Sequence, residues 1–263
     1  MNILLTNDDG YGAPGLEALA AALREEGHHT FVVAPERERS AMGHAITLHK
    51  PLHVIQHHEQ AWAVSGTPVD CVKLAMHALV PCKVDLVVSG INRGANLGTD
   101  VYYSGTVSAA IEGLLQGVSA MAFSLVAEEQ FEYEDAAWLA AWLVGAASRH
   151  DMGPRTLLNV NVPSLPRHQW RGVRVCELGV RHYQDVYDRR LDPRGRIYYW
   201  LGGAVAAADN PPGSDVEMVA RGFVSVTPLR VDLTRPEDLE RIAGWGLTLP
   251  SQVPGATHRA GES

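Results

Sequence analysis

Cysteine is scarce in this chain. Cys71, Cys82 and Cys176 are widely spaced, odd in number and never arranged as C-x-x-C. A disulfide scaffold is therefore not expected, and a reducing compartment fits better. Cys71 falls in an apolar helix-like pattern and reads as a buried, inert thiol. Basic charge is also short, with 22 Lys and Arg against 30 Asp and Glu and a formal net charge of −8. That argues against a non-specific hold on nucleic acid or on an anionic membrane. It leaves room for a small phosphorylated ligand, because a bound cation supplies local positive charge. No apolar run approaches the length of a membrane span. No basic leader region precedes the first apolar strand, so no signal peptide is expected and the cytoplasm is the expected location. Internal repeats, low-complexity tracts and H-E-x-x-H are all missing.

What is present is a core. Apolar residues make up 46% of the 263 positions, enough for one large α/β domain, or one domain with an appendage. The first half alternates strand and helix signals. Strands are predicted at 3–6, 30–34, 61–65, 84–89, 120–125 and 157–162. Helices are predicted at 14–26, 67–80, 104–116 and 136–149. Leu16, Leu19, Ala20 and Leu23 mark the buried face of the first helix, Pro14 opens it and Gly27 ends it. This β-α-β-α rhythm implies a doubly wound, mostly parallel, Rossmann-like sheet. Two stretches break the rhythm. Residues 44–58 read as a two-stranded excursion, and 173–203 contains a hairpin around Asp192-Pro193-Arg194-Gly195. Projecting ribbons bury themselves poorly, so both are expected to contact another subunit. The division expected is a core at 1–170 that binds metal and phosphate. A hairpin and arm at 171–254 would serve oligomerisation and complete the same domain, and a disordered tail would follow at 255–263.

The most informative segment is the N-terminus, MNILLTNDDGYGAPG. A buried strand runs directly into Asn7, Asp8 and Asp9. Adjacent carboxylates at such a place are costly unless a positive group lies between them, and a hard divalent cation is the simplest one. Gly10, Gly12 and Gly15 also spell G-x-G-x-x-G, with Glu36 where a ribose-binding acid would stand, so an NAD(P)-binding oxidoreductase is a rival reading. Asp8 and Asp9 oppose it, because they would repel a pyrophosphate.

In doubly wound sheets the ligand lies at the carboxyl ends of the strands. The residues found there are Asn7, Asp8 and Asp9; then Glu36, Arg37, Arg39 and Ser40; then Gly90, Asn92 and Asn96; then Tyr103, Ser104, Gly105 and Thr106. Their donors are hard oxygens, which favour Mg²⁺, Mn²⁺ or Ca²⁺ over zinc. The glycine- and asparagine-rich stretch 90–100 leads to Ser104, Gly105 and Thr106 at a helix start, where backbone N–H groups can cradle phosphate. Ser104 or Thr106 can cap the helix in the same place. The twelve histidines mostly read as surface residues. His49, His53 and His57 recur every fourth position, but Pro51 breaks any helix, and an extended chain would hold such pairs roughly 13 Å apart. His44 follows the Ser40 loop and is the histidine that would approach the site.

These motifs resemble, in order and spacing, the SurE family of 5′-nucleotidases, also called survival proteins. The matching pieces are Asn7 to Gly10, Pro35 to Ser40, Gly66-Thr67-Pro68 with Asp70-Cys71-Val72, and Ser89 to Asn92 with Gly94, Asn96 and Gly98. Tyr103 to Thr106, Asn159 to Pro163, and Gly222 to Leu229 continue the match. The resemblance implies a metal-dependent phosphomonoesterase acting on nucleoside 5′-monophosphates, with 3′-monophosphates and short polyphosphate as further candidate substrates. It implies one divalent ion per subunit (Mg²⁺ or Mn²⁺, with Ca²⁺ able to occupy the site), held by Asp8, Asp9, Ser40 and Asn92. It implies catalytic roles for Asp8 and Asp9. Phosphate contacts are expected from Asn7, Asn96, Ser104, Gly105 and Thr106. It further implies a C-terminal arm exchanged between subunits, in a homodimer or homotetramer. A nucleotide-sensing module that keeps the metal site without turnover is the non-enzyme alternative.

Overall fold

The computed structural model describes residues 1–127, 132–150, 153, 155–206 and 210–249. The expected disordered tail at 255–263 lies outside them. Two compact units are formed, Met1–Leu229 and Arg230–Ser263.

The first unit is built on a nine-stranded sheet. Its first strands are β1 (Asn2–Thr6), β2 (His29–Pro35), β3 (Val54–His58), β4 (Ala61–Val64), β5 (Leu86–Arg93) and β6 (Ala120–Val126). It is completed by β7 (Leu157–Pro163), β8 (Val173–Val175) and β13 (Val224–Leu229). The spatial order is β3-β4-β2-β1-β5-β6-β7-β13-β8. From β4 to β7 neighbouring strands run parallel. β3 and β13 are antiparallel to β4 and β7. The chain leaves β1 toward β2 on one side and later returns to β5 on the other, so the topological switch point lies between β1 and β5. Ile3, Leu5, Val88, Met121 and Phe123 are fully buried, as expected where helices cover both faces. Losing a ring such as Phe123 to alanine would cost about 3–5 kcal/mol.

The helices are α1 (Pro14–Glu25), α2 (Pro68–Leu74), α3 (Gly105–Leu115), α4 (Glu134–Arg149) and α5 (Asp215–Ala220). α1 buries Leu16, Leu19, Ala20 and Leu23, the face read from the sequence. α2 opens with a capping box, in which Thr67 and Asp70 satisfy each other's amides. α3 is capped by Ser104, whose hydroxyl accepts from the Val107 amide at 3.0 Å.

Three expectations differ from what forms. The segment expected as one helix over 67–80 leaves α-geometry at Leu74 and closes in a wider turn, Ala75–Leu79. The strand expected to end at Ser89 continues to Arg93, because an irregularity between Ser89 and Asn92 lets pairing with β6 resume beyond it. Asn92 thus sits in the strand rather than past it. The 44–58 excursion is no free ribbon: β3 adds to the sheet edge, while the preceding residues bond to the first turn of α2.

The hairpin forms as read. β10 (Val186–Leu191) and β11 (Ile197–Gly202) pair around residues 192–195. Below it, β9 (His182–Tyr183) pairs with β12 (Val205–Ala206). In the second unit, α6 (Pro236–Ala243) starts on a proline and places Leu239, Ile242 and Ala243 at helical spacing among charged residues. Arg235 and Arg241 pair with Glu237 and Asp238 there. Among the described residues no helix is long and apolar enough to cross a membrane. Cys71 and Cys176 are buried, Cys82 is exposed, and none of the three is bridged.

Candidate active site

The turn after β1 is organised by its own asparagine. Asn7 is fully buried; its Nδ2 donates to the Gly10 carbonyl at 3.0 Å and its Oδ1 accepts from the Gly10 amide at 3.2 Å. This local closure, a habit of asparagine in turns, fixes the directions of the next two carboxylates. Asp8 is 5% exposed and turns toward α3, where it accepts from both the hydroxyl and the amide of Thr106. Gly105 makes that approach possible: a Cβ there would lie 2.7 Å from the Asp8 Cβ. Asp9 turns toward β5 and accepts from the Arg93 amide at 3.0 Å. At the switch point Asp8 is thus tied to the start of the helix that follows β5, and Asp9 to the end of β5 itself.

Their environment disfavours charge. Burial first, and then the neighbouring Asp9, push Asp8 up to about 6 against the pull of Thr106. Burial also raises Asp9, with Glu38 adding to the rise and the Arg93 amide opposing it. Two adjacent carboxylates held this way make a site that a divalent cation would relieve. Among the described residues no group of three or more His, Cys, Asp or Glu is placed to hold a metal. A cation here would need neutral oxygens to complete its shell, which is what Ser and Asn supply.

The other expected residues are distributed around this pair. Asn92 lies at the end of β5 beside Asp9's partner, with its Nδ2 on the Gly94 carbonyl at 3.0 Å. Ser40 is exposed and donates to the Glu38 carboxylate at 2.6 Å. Its loop is brought to the site by the main chain, since the Arg39 amide donates to the Asp8 carbonyl at 2.7 Å. Asn96 is buried, donating to Ser124 Oγ at 2.7 Å, while its amide donates to Asn161 Oδ1 at 2.9 Å. Its carbonyl accepts from Asn159 and Asn161. Ser104 caps α3, and Thr106 spends its donors on Asp8. The structure thus groups Asn7, Asp8, Asp9, Gly105 and Thr106 tightly, sets Asn92 and the Ser40 loop beside them, and holds Asn96 through a buried polar network.

The glycine fingerprint is used internally. A Cβ at Gly15 would stand 2.1 Å from the Ile91 carbonyl, so this glycine lets α1 pack against β5. Tyr11 stacks on His57, with ring centroids 4.2 Å apart. With Asp8 and Asp9 in the adjacent turn, a dinucleotide reading is not favoured.

Sequence reasoning did not single out Glu112, Lys73, Asp100, Arg181 or Asp215. Glu112 is buried in α3 and receives Lys73 and His44. Asp100 receives Arg181 and Tyr183 from the base of the hairpin. Asp215, fully buried at the start of α5, receives the amides of Gly98 and Gly179. The signal available was a charged residue in an otherwise apolar helix, as with Glu112. Nothing local marked its partner.

A family model described as "Survival protein SurE" matches residues 3–185. A Synechococcus protein named 5′-nucleotidase SurE is 50% identical over 255 residues, covering 94% of this chain and 98% of that protein. A Symbiobacterium thermophilum protein of the same name is 48% identical over 252 residues, covering 94% and 98%. Among solved structures, the SurE protein from Aquifex aeolicus aligns with a TM-score of 0.82 at 37% identity, covering 94% of this chain and all of that one. With a family model over residues 3–185, near full-length relatives at about half identity and a solved structure of the same fold all agreeing, the chain belongs to the SurE family.

Proposed function

We propose that this protein is a divalent-metal-dependent 5′-nucleotidase that hydrolyses nucleoside 5′-monophosphates to nucleoside and phosphate. The observation that carries the reading is the pair Asp8 and Asp9 at the switch point, the first buried and the second partly so, both raised, beside the N-terminus of α3. Family membership supports it, since the relatives are named for this activity.

The ligand set is Asp8, Asp9, Ser40 and Asn92, two anionic and two neutral oxygen donors suited to Mg²⁺ or Mn²⁺, with Ca²⁺ also able to fit. A cation bound there would polarise a phosphate oxygen as a Lewis acid and activate water. Asn7, Asn96, Ser104, Gly105 and Thr106 frame the phosphate pocket. Thr106 orients Asp8, and the first turn of α3 turns its positive end toward the phosphate. Asp8 and Asp9 are also the groups positioned to accept a proton from attacking water. Their adjacency sends them to opposite sides of the turn, which suits cation binding better than a nucleophile and acid acting on one face. The protein is read as a cytoplasmic homodimer or homotetramer joined through the β10–β11 hairpin and an exchanged C-terminal arm, with no stable nucleic-acid or membrane partner. Residues 1–170 carry the site and 171–254 the assembly contacts.

Phosphate release from AMP, GMP, CMP and UMP, with and without Mg²⁺ or Mn²⁺, tests the reading. Metal-dependent release supports it. No release from any of them, alongside measurable NAD(P) binding, would return the dinucleotide reading; nucleotide binding without release would favour the sensing module.

A further inference from the structure

Glu112 lies on α3, further along the helix than Thr106, with a side chain 4% exposed. A carboxylate buried to that degree needs partners. Its Oε1 accepts from Lys73 Nζ at 3.2 Å and from Gln116 Nε2 at 2.6 Å, and its Oε2 faces His44 Nε2 at 2.9 Å. Lys73 closes α2, so that contact supplies the countercharge and ties α2 to α3. The histidine contact has a different geometry. His44 belongs to the loop between β2 and β3 that carries Arg39 and Ser40. An ionised carboxylate can only accept, so the imidazole donates from Nε2.

That loop is tied down on both sides of Ser40. Before it, the Arg39 amide donates to the Asp8 carbonyl. After it, the Gly43 amide donates to the Tyr103 carbonyl at 3.1 Å, the Ala45 carbonyl accepts from Thr67 Oγ1 at 2.7 Å, and the Thr47 amide donates to Asp70 Oδ1 at 2.9 Å. Between these anchors Ala41 has φ 56°. A left-handed alanine is unfavourable and persists only where its surroundings hold it. Residues 40–42 are themselves exposed, so the holding comes from the flanks. Two side chains anchor the loop close to Ser40: Arg39 before it, whose Nη2 donates to the Ser65 carbonyl at 2.9 Å, and His44, the first after it.

We propose that His44 and Glu112 are positioning residues that latch the Ser40 loop onto α3 and thereby set the affinity of the cation site. The latch brings Ser40 to the side of Asp8 and Asp9 and keeps Ala41 in its unfavourable conformation. The proposal rests on the reading of Asp8, Asp9, Ser40 and Asn92 as cation ligands.

The test uses His44→Ala, which removes the donor, and His44→Gln, whose side-chain amide can still donate to Glu112. Two measurements are made on the full chain without nucleotide. The first is Mn²⁺ binding by electron paramagnetic resonance. The second is hydrogen exchange over residues 39–47 in EDTA. His44→Ala should weaken Mn²⁺ binding about tenfold, on the scale of one hydrogen bond to a charged group, and speed exchange of the loop about tenfold. His44→Gln should stay within about threefold of the parent in both, since it keeps that hydrogen bond. Parent-like Mn²⁺ binding or parent-like exchange in His44→Ala overturns the latch. So does a His44→Gln variant as impaired as the alanine, because the ring rather than the hydrogen bond would then matter. If the parent itself fails to bind Mn²⁺, the cation reading fails and with it the link from latch to metal, while the exchange experiment still decides whether the latch exists.

Discussion

The carboxylate of Asp215 accepts the Gly98 amide at 2.9 Å on one oxygen and the Gly179 amide at 2.7 Å on the other. One fully buried side chain thereby joins the loop that leads from β5 to α3 with the approach to the β10–β11 hairpin. Asp100, a few residues along the same loop, adds Arg181 at 2.6 Å and the Tyr183 hydroxyl at 2.8 Å. The loop that leads into α3 and the base of the hairpin are thus one hydrogen-bonded unit.

Asp215→Ala should therefore damage more than local stability. It strips the acceptor from buried amides, each of which costs about 1–3 kcal/mol to leave unmet. A loss of about 3 kcal/mol in urea unfolding is expected, together with a rise in KM as the loop from Gly98 toward Ser104 loosens. Asp215→Asn, which keeps one acceptor oxygen, should fall between. Parent-like stability in Asp215→Ala would show that the knot carries no weight.

Asp9→Asn tests the cation directly. Asp9 is only partly buried and its main structural contact is an accepted amide, which asparagine can also accept. The fold should survive, judged by circular dichroism, while metal-dependent turnover should drop by at least about a hundredfold on losing one charged ligand. EDTA should abolish parent activity, and Mg²⁺ or Mn²⁺ should restore it. Activity indifferent to EDTA would sink the metal reading.

The metal-free protein should carry a pH signature of Asp8. Its carboxyl is raised from 3.8 to about 6 in the fold. Between those values the folded state keeps a proton that the unfolded chain has released, so stability falls as pH rises through this window and levels off above it. The full loss is about 3 kcal/mol, at 1.36 kcal/mol per pH unit. Asp8→Asn lacks this slope, so in EDTA at pH 8 the variant should be more stable than the parent, and at pH 4 nearly equal to it. Adding Mn²⁺ should reverse the order at pH 8. Urea midpoints with and without metal decide this, and a variant less stable than the parent at pH 8 in EDTA would count against it.

The parts of the fold legible from sequence were those with a local physical cause. Strands buried on both faces announce themselves as apolar runs, and Thr67-Pro68 and Ser104 mark helix starts through capping chemistry. Asp8 and Asp9 stood out because adjacent acids at the end of a buried strand need an explanation wherever they occur. What stayed hidden was pairing across distance. Glu112 and His44 lie 68 positions apart, and Gly98 and Asp215 lie 117 apart, which no periodicity or spacing reports. The extension of β5 to Arg93 was missed for a related reason, since Gly90 and Asn92 read as loop residues until the irregular pairing with β6 is seen. Residues 44–47 read as ribbon in the sequence because their partners, Glu112 for His44, Thr67 for Ala45 and Asp70 for Thr47, belong to other elements.

The hairpin should govern assembly. Its register puts Tyr187 opposite Leu201 and Leu191 opposite Ile197, so these four share one face, and all are more than half exposed. Arg189 and Tyr199 pair between them on the same face, and an exposed, mostly apolar face on a two-stranded ribbon is a contact surface in search of a partner. Replacing Ile197 and Leu201 together by aspartate should leave secondary structure intact and give a smaller species in light scattering. An oligomer of parent size would move the interface elsewhere.

The last prediction concerns the base of the substrate. A phosphomonoester concentrates its charge on one terminal group, which two aspartates with a cation and one helix start can hold without help from the rest of the nucleotide. Selection among bases would need stacking or edge hydrogen bonds, and aromatic residues near the strand ends are few. Tyr11 is occupied by His57. Tyr102 and Tyr103 remain largely exposed, at 69% and 68%, and an open ring accepts any base face. Stacking of this kind is worth about 1–3 kcal/mol per base and tolerates sequence. AMP, GMP, CMP and UMP should therefore be hydrolysed with kcat/KM values within about two orders of magnitude of one another. Replacing Tyr102 and Tyr103 by alanine should raise KM for all four while compressing the differences among them. Strict preference for a single base in the parent would show an edge-reading pocket instead, and would require hydrogen-bond donors at the site beyond those the strand ends provide.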